Sequence, residues 1–260
     1  MDRRLAKDRE LLCGPHAALE SLRAGRRTIY RLLVARQERG EGVRAVLAEA
    51  EARRIPVESC QPADLDRLVR GGIHQGIVVE AAPYPYADPD ALPSEVGAEG
   101  RPTLLLILDG VLDPQNLGAI VRTAEGAGVD GIVLPRDRAA AVSPAAVRAS
   151  AGATEHLAIA RVTNLARYLD DLKERGVWIV GTEAAAGRTL FETDLSGPLA
   201  VVIGGEGRGM RALTRRHCDF LVRIPAVGRV ASLNASAASA ICLFEVVRQR
   251  NRRAHLLPVS

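Results

Sequence analysis

The sequence predicts an α/β protein in two pieces, a small mixed α/β/α unit followed by a larger parallel-sheet domain. Three observations carry this. Beyond residue 102, short and nearly continuous apolar runs alternate with stretches of helical period, as in a sheet covered on both faces. Residues 83–102, "PYPYADPDALPSEVGAEGRP", are rich in proline, glycine and acids and show no periodicity, so they read as an exposed linker between residues 1–82 and 103–260. With 260 residues, 47% of them hydrophobic, the chain is long enough for a real core and too apolar to be disordered.

Taken in order, "GPHAALESLRAG" predicts a helix with Ala17, Leu19 and Leu22 on its apolar face and Gly25 as its stop. "TIYRLLVA" predicts a strand, "VRAVLAEAEARRI" a helix ending before Pro56, "PADLDRLV" another helix and "GIVVEAA" a strand. In the second piece "TLLLILD", "GIVLP", "HLAIARV", "VWIVGT" and "LAVVIGGE" are the strands. Between them "DPQNLGAIVRTAEGAG", "SPAAVRASAGA" and "NLARYLDDLKERG" are helical, the first and last stopped by glycines. "NASAASAICLFEVVRQR" is the final helix, with Ala235, Ala238, Cys242 and Val246 recurring on one face and a basic tail expected to fray.

Composition excludes several classes. No apolar run approaches the ~20 residues of a membrane span. The start, "MDRRLAKDRELL", has neither a signal-peptide core nor the acid-poor character of a transit peptide, so a cytoplasmic location is expected. Cys13, Cys60, Cys218 and Cys242 are widely spaced, which argues against a zinc site or a disulfide framework and for buried thiols. No metal is expected. Net charge is +4, and only Lys7 and Lys173 are lysines among 35 basic residues. Guanidinium forks suit phosphate, but a solvated surface explains them equally well.

Three motifs stand where ligands gather in parallel sheets, beyond the carboxyl ends of strands; Asp109, Thr182 and Glu206 each follow a strand end. In "DPQNLGAIVR", Asn116 and Arg122 fall within the first three turns of a helix that Pro114 can start. Six residues turn a helix by about 600°, so their Cα directions differ by roughly 120°; a cap plus a solvated arginine accounts for the pattern too. In "IGGEGRGM" the glycines allow close backbone approach. Met210 replaces the third glycine of a dinucleotide fingerprint, and no Lys-Ser/Thr pair follows, so a phosphate cradle is disfavoured. Glu206 suits a ligand that is neutral or cationic where the two meet. In "ASLNASAASAICLFE", Ser232 or Asn234 can cap the last helix, and its small residues permit close packing against another backbone.

Together, "NLGAIVR", "GGEGRGM" and "SLNASAASAICLFE" resemble, in order and separation, the three motifs of the SpoU/TrmH family of RNA 2′-O-ribose methyltransferases, within the SPOUT superfamily. "GPHAALESL", "HQGI" and "RVTNLAR" resemble its RlmB-type branch, which methylates a guanosine ribose in 23S ribosomal RNA. The resemblance implies a C-terminal parallel-sheet domain with a deep trefoil knot, a ribosomal-protein-like RNA-binding domain at residues 1–82, and a homodimer formed through the knotted domain. It implies S-adenosylmethionine as cofactor, with S-adenosylhomocysteine as product. Thr182, Gly204, Gly205, Ile224 and Leu233 are then the cofactor contacts. Asn116, Arg122, Glu206, Ser232 and Asn234 are the catalytic candidates, and His74, Gln75 and Arg148 the candidates for touching substrate RNA.

The resemblance also implies Arg122 as a proposed base. Neutralising a guanidinium near pH 7 costs roughly 7 kcal/mol, given a pKa above ~12. A grip on phosphate and on developing negative charge at O2′ is the better expectation, with the proton leaving through phosphate, water or Glu206. The alternatives are a tRNA or antibiotic-resistance 2′-O-methyltransferase, or an RNA-binding ribosome-assembly factor with a vestigial site. A nucleotide-dependent dehydrogenase lacks the right glycine spacing.

Overall fold

The computed structural model describes residues 9–256 except 37, 39, 71, 93–100, 208, 230 and 231. The first eight residues, the middle of the expected linker and the last four residues of the tail therefore lie outside the described residues.

In chain order the elements are β1 (Glu10–Cys13), α1 (Pro15–Ala24), β2 (Ile29–Ala35), α2 (Glu41–Ala52), β3 (Val57–Cys60), α3 (Pro62–Val69) and β4 (Ile77–Ala81). There follow β5 (Leu104–Asp109), α4 (Pro114–Gly126), β6 (Gly131–Pro135), α5 (Pro144–Ala149), a 3-10 turn (Ala153–Glu155), β7 (Ile159–Val162), α6 (Leu165–Glu174) and β8 (Trp178–Thr182). The chain continues through β9 (Arg188–Thr189), a second 3-10 turn (Leu190–Glu192), β10 (Leu199–Gly204), α7 (Ala212–Arg216), β11 (Phe220–Arg223) and α8 (Ala235–Leu256).

Helix starts follow from local chemistry. Asp113 accepts from Gln115 N at 3.1 Å just before Pro114 at the head of α4, and Asn164 accepts from Arg167 N before α6. Proline lacks the N–H that a first turn leaves unpaired anyway. The strands β1, β3, β9 and β11 were not anticipated. β9 is two residues long, and β3 shows no buried face to reveal it. The C-terminal helix runs on to Leu256, through most of the stretch expected to fray.

Contacts divide the chain into two units, Met1–Pro85 with Ala141–His156, and Tyr86–Ala140 with Leu157–Ser260. Residues 141–156, which sequence reasoning assigned to the second piece, pack with the first. The first unit has a four-stranded sheet of order β1-β4-β2-β3, antiparallel except for the β2–β3 pair. On one face Leu33, Ala35 and Val78 meet Leu65 of α3. Arg27 ties the inserted segment down: its guanidinium donates to both Glu155 oxygens at 2.9 and 2.8 Å, and both side chains are 0% exposed. It also donates to Glu10 and to the Ala82 carbonyl. Removing one member of such a pair leaves a buried charge uncompensated, which costs about 3–5 kcal/mol.

The second unit is a seven-stranded, wholly parallel sheet of order β7-β6-β5-β10-β8-β11-β9. Leu105, Ile107, Val133, Ile179 and Val202 form one core with Leu165, Tyr168, Leu169 and Leu172 of α6. The intervening Leu106, Leu108, Val201 and Ile203 are buried as well, and α8 packs along α4 and against β10. The expected linker is not uniformly exposed: Tyr84 and Leu92 are buried, and Ala87 pairs with Ala160. Among the described residues no helix is long and apolar enough to cross a membrane.

Candidate active site

β5, β8, β10 and β11 are parallel neighbours in the sheet, so their carboxyl ends open onto one edge of the second unit. A cleft of about 630 Å³ lies there, within the range of small-molecule sites. Thr182 lines it from the end of β8, Ile203 to Glu206 from the end of β10, Ile224 after β11, and Ser232 to Asn234 before α8. Its apolar wall includes Met210 and Leu233, the latter 46% exposed. Arg215, the arginine on the lining among the described residues, is paired with Glu183 at 2.9 Å.

The glycines of the β10 loop are dictated by backbone contact. A Cβ on Gly204 would stand 2.3 Å from Met210 N, and one on Gly205 would stand 2.0 Å from the Gly110 carbonyl oxygen. The loop doubles back after them, with Gly209 N donating to Gly205 O at 3.1 Å.

Three polar side chains from distant segments meet at this loop. Asn116, in the first turn of α4, donates from Nδ2 to Glu206 Oε1. Asn234 donates from Nδ2 to the same oxygen at 3.0 Å and to Asn116 Oδ1 at 3.1 Å. Asn234 is also the cap of α8: its Oδ1 accepts from Ser236 N at 2.8 Å. One oxygen of Glu206 is thus held by two amides, while no hydrogen bond to the other is found among the described residues. Gathered here are Asn116, Glu206, Ser232 and Asn234, along with Thr182, Gly204, Gly205, Ile224 and Leu233. Thr182 Oγ1 is already committed, donating to Val202 O at 3.1 Å.

Arg122 is not gathered with them. It is exposed on α4, and among the described residues it neither lines the cleft nor makes a hydrogen bond or ion pair. The wide angular separation along the helix is the reason: Asn116 faces the loop and Arg122 does not. His74, Gln75 and Arg148 all belong to the first unit. His74 is committed to its turn, Nδ1 accepting from Gly76 N at 3.0 Å and Nε2 lying 3.1 Å from Asp66. Gln75 is exposed with φ 47°, and Arg148 is exposed on α5.

Thiol chemistry has no support here. Burial pushes the Cys218 and Cys242 thiols up to about 12, so neither is a thiolate near neutral pH. All four cysteines are free, but only Cys242 is fully buried, fewer than expected. Sequence reasoning missed Asp109 as a contact: its carboxylate reaches Arg211, 102 residues away, and only the strand-end position hinted at it.

A parallel sheet with a mostly apolar cleft at its carboxyl edge, and a carboxylate held between two amides at that cleft, defines a small-molecule-dependent enzyme of the α/β class. The chain belongs to the SpoU rRNA methylase family, whose match covers residues 103–244; residues 11–87 match the RNA 2′-O ribose methyltransferase substrate-binding family. It is 43% identical to the 23S rRNA (guanosine-2′-O-)-methyltransferase RlmB of Pseudomonas aeruginosa, over 93% of this chain and 97% of that protein. It is 40% identical to a putative TrmH family tRNA/rRNA methyltransferase, YacO, of Bacillus subtilis, over 95% of this chain and 98% of that one. Among solved structures it resembles the SpoU methyltransferase AviRb of Streptomyces viridochromogenes in complex with AdoMet. There the TM-score is 0.80 at 27% identity, covering 96% of this chain and 95% of AviRb.

Proposed function

We propose that this chain is an S-adenosylmethionine-dependent RNA 2′-O-ribose methyltransferase that acts in the cytoplasm on a guanosine of 23S ribosomal RNA. The observation that carries the reading is the Asn116–Glu206–Asn234 cluster at the cleft. The residues fit the donor: apolar Ile203, Met210, Ile224 and Leu233 suit an adenosine, no unpaired cation lines the cleft among the described residues to repel a sulfonium, and Glu206 presents a carboxylate. When bound, the donor supplies an electrophilic methyl group on a positively charged sulfur.

The protein's part is orientation and proton removal. Holding reactants in near-attack geometry contributes about 7–11 kcal/mol. Asn116 and Asn234 fix one oxygen of Glu206 and leave the other to accept the ribose hydroxyl proton. A positioned base typically adds about 10²–10⁴-fold. Ser232, exposed beside Asn234, shapes the floor. Arg122 grips RNA phosphate instead of serving as base, and the first unit, with Gln75 and Arg148 exposed, supplies the remaining RNA contacts.

The same reading includes a trefoil knot in the second unit and a homodimer formed through it. Small residues Ala235, Ala238 and Ser239 on α8, packed along α4, support a tightly threaded helix. Leu112, just before α4, and Phe244, on α8, are 67% and 49% exposed, apolar side chains that such a dimer would cover.

The test is calorimetry with S-adenosylhomocysteine and with NAD, followed by transfer of labelled methyl to unmodified 23S rRNA and to tRNA. Binding of S-adenosylhomocysteine alone, and label in 23S rRNA alone, are expected. Label confined to tRNA would overturn the substrate, and NAD binding would overturn the reaction class.

A further inference from the structure

We propose that Asp109 is the positioning residue of this site, holding both ends of the glycine loop that carries Glu206. It rests on the reading of Glu206 as the proton acceptor. Asp109 ends β5 and is 1% exposed. Its backbone carbonyl accepts from Gly205 N at 2.9 Å, at the start of the loop. Its side-chain Oδ2 accepts from Arg211 N at 2.8 Å, at the loop's end. One residue thus fixes the entry and the exit of a segment whose own backbone is permissive, since Gly207 and Gly209 sit at φ 78° and 62°.

Stability alone explains this carboxylate poorly. Oδ1 is buried and accepts no hydrogen bond among the described residues; the Arg211 Nε lies 3.3 Å from it, outside hydrogen-bonding geometry. A buried charge paired this incompletely is a net cost, and a neutral acceptor would cap Arg211 N at less. What the charge adds is direction. A charge-assisted bond to a backbone N–H is shorter and stiffer than a neutral one, and the attraction to Arg211 draws that side chain toward the carbonyls of Asp137 and Arg138 at 3.4 and 3.5 Å. The loop after β10 is thereby tied to the end of β5 and to the loop after β6. Glu206 then needs only its two amide contacts to be held in place.

The experiment uses the full chain. In Asp109→Asn, kcat for methyl transfer is expected to fall by about 10- to 100-fold, the effect of a displacement near 1 Å. The Kd for S-adenosylhomocysteine, read by calorimetry, is expected to stay within about threefold of wild type, and amide exchange across residues 203–213 to accelerate. In a Glu206→Gln background the same change is expected to cost less than about threefold in kcat, because residues acting through one another are not additive. Arg211→Ala keeps the backbone N–H and unpairs Oδ1, so it is expected to give the same pattern more weakly; it decides the matter if Asp109→Asn does not fold. Additive losses in the double variant, or unchanged loop exchange, would overturn the proposal by reducing Asp109 to a general structural contact. If the wild-type chain methylated no RNA, the role of Glu206 would fall, while loop exchange would still decide whether Asp109 holds the loop.

Discussion

Asn234 Nδ2 lies 3.0 Å from Glu206 Oε1, and the same asparagine caps α8 through its Oδ1. The start of the last helix and the carboxylate of the β10 loop are therefore one rigid object. The pair answers why polar residues precede a helix of small ones: the cap and the site are the same side chain.

Glu206→Gln preserves size and one acceptor but removes the proposed base. We expect single-turnover methyl transfer to fall by about 10²–10³-fold with S-adenosylhomocysteine affinity nearly unchanged. A loss of less than about threefold in the rate would assign the proton to another acceptor.

Arg122 does not line the cleft, so its effects should appear on RNA and not on donor. Arg122→Ala is expected to raise the KM for RNA and lower kcat, while calorimetry with S-adenosylhomocysteine is unmoved. Arg122→Lys retains charge but not the bidentate fork, and it should lose most of the activity as well. Near-normal turnover in the lysine variant would remove the grip on phosphate.

Gly205→Ala forces a methyl group toward a carbonyl that would stand 2.0 Å from it. The backbone of β5 or β10 must move, at a cost of about 1–3 kcal/mol. A lowered Tm together with weakened S-adenosylhomocysteine binding is expected; wild-type affinity would mean that the loop yields without disturbing the cleft.

Five of the seven strands of the second unit's sheet were legible because they are continuous apolar runs, while β9 and β11 were not; its three site segments were legible because polar residues and glycines sit at strand ends. Pairings across long separations were not. Arg27 with Glu155, and Asp109 with Arg211, are 128 and 102 residues apart, and neither partner stands out from other charged residues nearby. The transfer of residues 141–156 to the first unit was hidden for the same reason: "SPAAVRASAGA" has helical composition but nothing that names the sheet it joins. The convergence of Asn116, Glu206 and Asn234 was foreseeable from motif order; the exclusion of Arg122 was visible only as a helical angle.

Part of the acid sensitivity should originate in the first unit. Arg31, with help from Arg9, holds the buried Glu80 carboxyl below the usual range. A depressed carboxylate pKa adds stability that is present above the ordinary glutamate value near 4.5 and is lost as pH falls through the depressed one. Urea unfolding between pH 6 and pH 3 (both chosen conditions, roughly spanning that window) should show stability falling toward the acid end. Glu80→Gln should be less stable at the neutral end and flatter in its pH dependence. An unchanged slope would place the acid-labile group elsewhere.

The most direct measurement is nucleotide-resolved mapping of 2′-O-methyl groups in unmodified large-subunit RNA after incubation with the chain and S-adenosylmethionine, beside Glu206→Gln. The account predicts one new modified guanosine in 23S rRNA, formed by the wild-type chain and nearly absent with the variant. Modification of tRNA alone, or equal modification by the variant, would contradict it.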